Sequence, residues 1–421
     1  MFTGNKAMIM RECHRRNAVR RVCSGSVDHQ TFFHNIRGDL LISGYAAANQ
    51  TMLADMISEY MRREDMPTIV LSSHTELLDA LRQRQRAGEI ARVMISDPRD
   101  RNYHPFYGMS AQQLLRFIRM TAEELGYSIL LDHVLQYASA ALNIVSVSYP
   151  VSLPALINLL QHDDDFISDH ALQKGLSSIV ADNIRANHEA GIVLRRICEK
   201  MESIFEEVYT AETDTQYSFQ SGVQGNVAVM ALYSVASDQK ILNSYLKEEL
   251  FCVLKRTSKI RVVLDEMPFE NSEDELLLYL FKMKRQGKIE LIFASTNAGE
   301  SVYGMQLNFA NVILCEHEDP IATEELSKAL WGTYMYNYPV PVAGRPAALF
   351  FTLKTTVQWQ IATEERLKVR AEDLYAKQGF FMNSSDLLAV KTTANSNIYL
   401  IPSSVFLPPH SFLPELLPAQ Q

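Results

Sequence analysis

Asp39-Leu40-Leu41-Ile42-Ser43-Gly44-Tyr45-Ala46-Ala47-Ala48-Asn49-Gln50-Thr51 runs from a short apolar stretch through small residues into a helix start. Four consecutive residues without polar alternation read as a strand buried on both faces, the habit of parallel sheets. Outward from it the same rhythm repeats. A helix near Thr51 to Arg63 precedes Thr68-Ile69-Val70-Leu71; a helix with Leu77, Leu78 and Leu81 on one face precedes Ala91-Arg92-Val93-Met94-Ile95. Strand and helix in strict alternation predict an α/β fold with a mostly parallel sheet.

The rhythm breaks after Pro105. From about Ser110 to Tyr209 apolar residues recur at helical spacing: Leu114, Phe117, Ile118 and Leu125; Leu153, Leu156, Ile157 and Leu160; Val193, Ile197, Met201 and Ile204. Strand signals are scarce there apart from Ile144 to Tyr149. Alternation then returns with Asn226 to Val235, a helix carrying Ile241, Leu242, Tyr245, Leu246, Leu250 and Val253, and strands at Arg261 to Leu264, Ile289 to Phe293 and Val312 to Leu314. Ser272 and Glu275 have capping-box spacing, and Gly332 sits where a helix would end. The expected organisation is a basic tail over 1–35, a first α/β part over 36–109, an all-α insertion over 110–215, a second α/β part over 216–338 and a β-rich extension over 339–421.

The 421 residues carry a formal net charge of −9, with 47% hydrophobic and 21% charged residues. That balance suits a soluble globular chain and argues against a general nucleic-acid coating. Arg11, Arg15, Arg16, Arg20 and Arg21 form a local basic stripe, read either as a contact arm or as a solvated leader. Five scattered cysteines (Cys13, Cys23, Cys198, Cys252, Cys315) suggest reduced thiols. No run has bilayer-spanning length, and no signal-peptide core opens the chain. The expected location is cytoplasmic.

Gly44 to Thr51 keeps the spacing of G-x-x-x-x-G-K-[ST], a loop whose backbone N–H groups and lysine hold phosphates while its hydroxyl holds magnesium. Here Asn49 replaces the second glycine and Gln50 the lysine; Gly44 and Thr51 are kept. Asn tolerates left-handed backbone, but Gln50 supplies no charge. Taken alone, the segment also reads as an Ala-rich helix start without a ligand. Val262-Val263-Leu264-Asp265-Glu266 is an apolar strand ending in two acids, the pattern in which an Asp orients magnesium and a Glu polarises water. Asn297 closes another strand, as a γ-phosphate sensor or a turn residue.

Taken together, the order of loop motif, helical insertion, acidic strand end and polar strand end resembles the type IV secretion and conjugation coupling proteins of the FtsK/HerA group. The resemblance continues in Asn226-Val227-Ala228-Val229, Asn243-Ser244-Tyr245-Leu246 and Asn308 to Leu314, and covers roughly residues 38–335. It implies a RecA-like P-loop NTPase fold and an oligomeric ring, often a hexamer. It also implies ATP with magnesium at Gly44, Asn49, Gln50, Thr51 and Asp265, with Asp265, Glu266 and Asn297 in the catalytic positions. Loss of the lysine and second glycine leads to an expectation of little or no ATP hydrolysis and of ATP affinity far below that of an intact loop. The expected role is a scaffold or cargo-recruiting subunit of a transfer system, at most peripheral to the inner face of the membrane. Its protein cargo or secretion-system partners would meet the helical insertion, with DNA as a further candidate partner. The rival is a working ATP-driven translocase; a plain DNA-binding module fits the Arg-rich start but not the net charge. His162-Asp163-Asp164-Asp165 is expected to be a solvated loop and His162 to Asp169 an exposed tip, while Lys282, Lys284, Arg285 and Lys288 read as a channel lining or as a basic helix end.

Overall fold

The computed structural model describes residues 19–21, 36–44, 53–59, 66–72, 74–89, 93–95, 110–149, 151–204, 227–231, 237–257, 259–267, 275–295, 309–315, 320–342, 358–369, 387–392 and 395–402. The chain forms two units, Met1–Met56 with Ile292–Gln421, and Ile57–Leu291. Its fold is α/β, as the alternation predicts.

In the unit Ile57–Leu291, strands β3 (Thr68–Ser72), β4 (Val93–Ile95), β5 (Val227–Ala231) and β6 (Ile260–Asp265) lie in the order β6-β3-β5-β4, all parallel. Every residue of β3 and β6 is buried, which is why Ile69-Val70-Leu71 and Val262-Val263-Leu264 run apolar without alternation; the one buried cation in these strands, Arg261, pairs with Glu290. Helix α1 (Thr75–Arg86) follows β3 directly. Between β4 and β5 come α2 (Ala111–Glu124), α3 (Leu131–Ser148), α4 (Leu153–Leu160), α5 (Asp164–Gln173), α6 (Ser178–Ala186) and α7 (His188–Ile204). Helix α8 (Ser237–Arg256) leads into β6, and α9 (Glu275–Arg285) follows it.

Local chemistry sets the helix starts. Ser110 and Gln113 form a reciprocal capping box at α2, and Ser152 caps α4 just ahead of Pro154. Leu114, Phe117 and Ile118 are buried on α2, and Phe117 meets Tyr245 of α8 edge to face at 5.1 Å. Arg116 pairs with buried Glu248 at 3.2 Å and with Glu275 at 2.5 Å. The first inserted helix is therefore fastened to the helices that flank β6.

The reading of Ile144 to Tyr149 as strand-like needs correction. Helix α3 continues to Ser148, because Ile144 and Val145 extend the buried face of Val134, Tyr137, Ala138 and Ala141. Burial on a helix face outweighs the β preference of branched side chains.

In the other unit, β2 (Leu40–Ser43) lies between β7 (Ile289–Ser295) and β8 (Asn311–Leu314), parallel to both. Strand β11 (Leu387–Thr392) runs antiparallel to β8, β12 (Asn395–Pro402) antiparallel to β11, and β1 (Val19–Arg21) parallel to β12. The stretch expected as a tail thus contributes one short strand. Buried Asn311 donates through its side chain to the carbonyls of Arg37 and Asp39, fixing the entry to β2. Helix α10 (Pro320–Trp331) ends at Gly332, whose φ of 72° and N–H bond to Lys328 make the expected stop. Strands β9 (Thr333–Val342) and β10 (Gln358–Leu367) form a separate antiparallel pair.

Candidate functional site

The sequence-predicted residues fall into three groups. Gly44 closes β2 in the first unit: its φ is 93°, and its N–H donates to the carbonyl of Ser295 at 2.9 Å. This left-handed turn suits glycine and would strain a residue with a Cβ. Asp265 and Glu266 close β6 in the second unit. Asn49, Gln50, Thr51 and Asn297 lie outside the described residues, as does Ser272 of the expected capping box.

Asp265 is 2% exposed, at the end of a fully buried strand. Glu266 is half-buried and turns the chain with φ 51°, a left-handed value that costs a non-glycine residue roughly 1 kcal/mol or more. The parallel register sets Ser72 of β3 opposite Asp265 of β6. Two side chains at the same end of adjacent strands face each other, and the Ser72 hydroxyl donates to Oδ2 of Asp265 at 2.5 Å. The same hydroxyl oxygen accepts the backbone N–H of His74 at 3.0 Å. That bond holds the turn that brings Nδ1 of His74 to within 3.1 Å of Asp265 Oδ2. The hydrogen bond to Asp265 raises the pKa of His74 above the ordinary imidazole value; burial opposes it, and the charges of Asp265, Glu266 and Glu76 add to it.

Ser72, His74 and Asp265 are not a nucleophilic triad. The carboxylate sits in the middle, and the serine hydroxyl donates to it instead of to the imidazole, so no base activates the hydroxyl. The cluster is a buried acid held by hydrogen bonds from two residues. Sequence reasoning missed Ser72 and His74, whose signal was Ser72-Ser73-His74 directly after a buried strand.

Magnesium fits this arrangement poorly. It demands near-octahedral oxygen ligands and keeps much of its water, whereas Asp265 Oδ2 is already shared by a hydroxyl and an imidazole nitrogen. No cluster of three or more His, Cys, Asp or Glu able to hold a metal occurs among the described residues.

Other candidates resolve into structure. His162 and Asp163 form the expected exposed link between α4 and α5, but from Asp164 to Asp169 the stretch is helix and not loop. Asp163 accepts the N–H of Phe166 at 2.7 Å as an N-cap, and the helix begins at Asp164. Asp164 then ties three helices: Tyr137 donates to Oδ1 at 2.6 Å, and His188 reaches Oδ2 at 2.5 Å. An Asp-rich stretch at a helix start serves capping and the helix dipole. Lys282, Lys284 and Arg285 occupy the last turn of α9, and Lys284 is buried, as suits a basic helix end. Cys198, Cys252 and Cys315 are buried thiols outside any disulfide, with burial pushing the Cys252 thiol up to about 12. Burial raises the Cys198 thiol in the same direction, so both of these stay protonated at neutral pH. Among the described residues no single helix is long and apolar enough to cross a membrane.

No family model matches the chain, and no curated protein matches it. Among solved structures it is similar to the bacterial conjugative coupling protein TrwBdeltaN70 in an unbound monoclinic form, with a TM-score of 0.47 and 13% identity over 86% of this chain and 84% of that one. It is also similar to the plasmid coupling protein TrwB in complex with ADP and Mg2+, with a TM-score of 0.46 and 12% identity over 87% and 85%. VirB4 of Thermoanaerobacter pseudethanolicus is similar at a TM-score of 0.42 and 12% identity, over 72% and 84%.

Proposed function

We propose that the chain is a coupling-protein-like subunit of a DNA or protein transfer system of the type IV secretion or conjugation kind, with impaired nucleotide hydrolysis. It acts as a scaffold or cargo recruiter on the cytoplasmic side, as a homo-oligomer, and meets protein partners through helices α2 to α7. The observation that supports this most is the start of the loop after β2. Gly44 makes a left-handed turn at the end of β2, and the sequence that follows it carries Gln50 where the phosphate-binding motif has its cation. A neutral amide gives up the charge-assisted bonds, each about twice as strong as a neutral one, that a lysine makes to phosphate. ATP with Mg2+ is therefore bound weakly, if at all.

A working translocase is the second reading, favoured by the retention of Thr51, Asp265 and Glu266. Multiple-turnover ATP hydrolysis by the purified chain, with magnesium and with or without DNA, separates the two. The scaffold reading expects no turnover. Sustained turnover abolished by Glu266→Gln, in a variant that still folds, would establish the translocase.

A further inference from the structure

We propose that the His74 ring occupies, at Asp265, the place that a divalent cation takes in a working P-loop site, so that the chain fills the position beside its strand-end acid from within and excludes the metal. The inference rests on the reading of Asp265 as that acid. It goes further by naming the residue that disables the metal side of the site, independently of the lost lysine.

Three features carry it. Asp265 is buried, and a buried carboxylate must be compensated by hydrogen bonds, of which it has two. Both come from residues two positions apart in sequence, Ser72 and His74, and both meet the single oxygen Oδ2. The contact is built into the fold. Strand register sets Ser72 opposite Asp265, and the Ser72 hydroxyl in turn holds the His74 backbone. His74 is also the N-cap residue of α1, yet it makes no side-chain capping bond. Ser, Thr, Asp or Asn at that position would satisfy a free N–H of the helix; the imidazole gives up that role and turns to the acid. A dication entering beside Asp265 would meet an N–H donor aimed at its ligand oxygen. A dication bound at Oδ2 would have to expel His74 and to break the Ser72 bond or share its acceptor.

The test is manganese binding by the full chain without nucleotide, followed by the loss of the free-ion paramagnetic resonance signal. Leaving nucleotide out separates this inference from the question of hydrolysis, since a chain that never turns over ATP can still gain or lack a metal site. The parent is expected to show no manganese site that depends on Asp265. His74→Ala is expected to gain one, at least about tenfold tighter than anything in the parent, and Asp265→Asn in that background is expected to remove it. His74→Asn serves as a second variant, because asparagine caps the helix and supports folding while withdrawing the ring. The proposal is overturned if the parent binds manganese through Asp265 as tightly as the variants, or if folded His74→Ala or His74→Asn gains no site.

Discussion

Tyr137 is 1% exposed and hydrogen-bonded to Asp164, so its ring has little room to move. Gly191 of α7 lies against that ring: a Cβ there would stand 2.8 Å from Cε2. In an ordinary helix Gly→Ala gains about 1 kcal/mol. Here overpacking costs about 1–3 kcal/mol, so Gly191→Ala is expected to lower stability, as urea unfolding would show. A stabilised Gly191→Ala would mean that the ring yields. Glu248 gives a pH test of opposite character to a surface carboxylate. Burial raises its pKa above the ordinary range, and the charges of Arg116 and Lys255 only partly offset this. The folded state then holds the proton more tightly than the unfolded state, so this group's contribution makes stability fall as pH rises from the unfolded carboxylate value through the folded one. Glu248→Gln is expected to be relatively more stable than the parent above that window than below it. A difference that does not change with pH would contradict the assignment.

At the scale of elements, Asp163 separates two accounts of the acidic stretch. A solvated loop predicts that Asp163→Ala changes stability by no more than about 0.5 kcal/mol; an N-cap predicts a loss of about 1 kcal/mol. The capping bond to Phe166 N favours the loss, measurable by chemical denaturation. The buried strands were legible because burial on both faces leaves a short unbroken apolar run, as in Leu40-Leu41-Ile42 and Val262-Val263-Leu264. The end of α3 was not legible, because Ile144 and Val145 take their conformation from Val134 and Tyr137 a few turns earlier. Asp265 was legible as a strand-end acid. Its partners were not, since Ser72 lies 193 residues away in sequence and only parallel register brings it opposite. The helix start at Asp164 was hidden by composition: consecutive aspartates read as loop until one of them is seen to cap.

For the whole molecule, the fastening of α2 changes how the helical segment can be removed. Phe117 covers Tyr245, which is fully buried, and Arg116 pairs with buried Glu248. Replacing residues 127–204 by a short linker keeps those contacts. Replacing 110–204 strips them, and losing a buried aromatic contact costs about 3–5 kcal/mol. The longer deletion is therefore expected to be clearly less stable by thermal unfolding; equal stability of the two would show that α2 is dispensable to the sheet. The central claim concerns nucleotide, and calorimetric titration of the folded chain with ATP and magnesium tests it most directly, comparing the parent with Asn49→Gly, Gln50→Lys. Restoring a charged hydrogen bond to phosphate is worth about 1.5–3 kcal/mol, or roughly 10- to 100-fold in affinity. The account predicts little or no heat of binding for the parent and a measurable site in the double variant. Tight binding by the parent, or a double variant that binds no better, would contradict it.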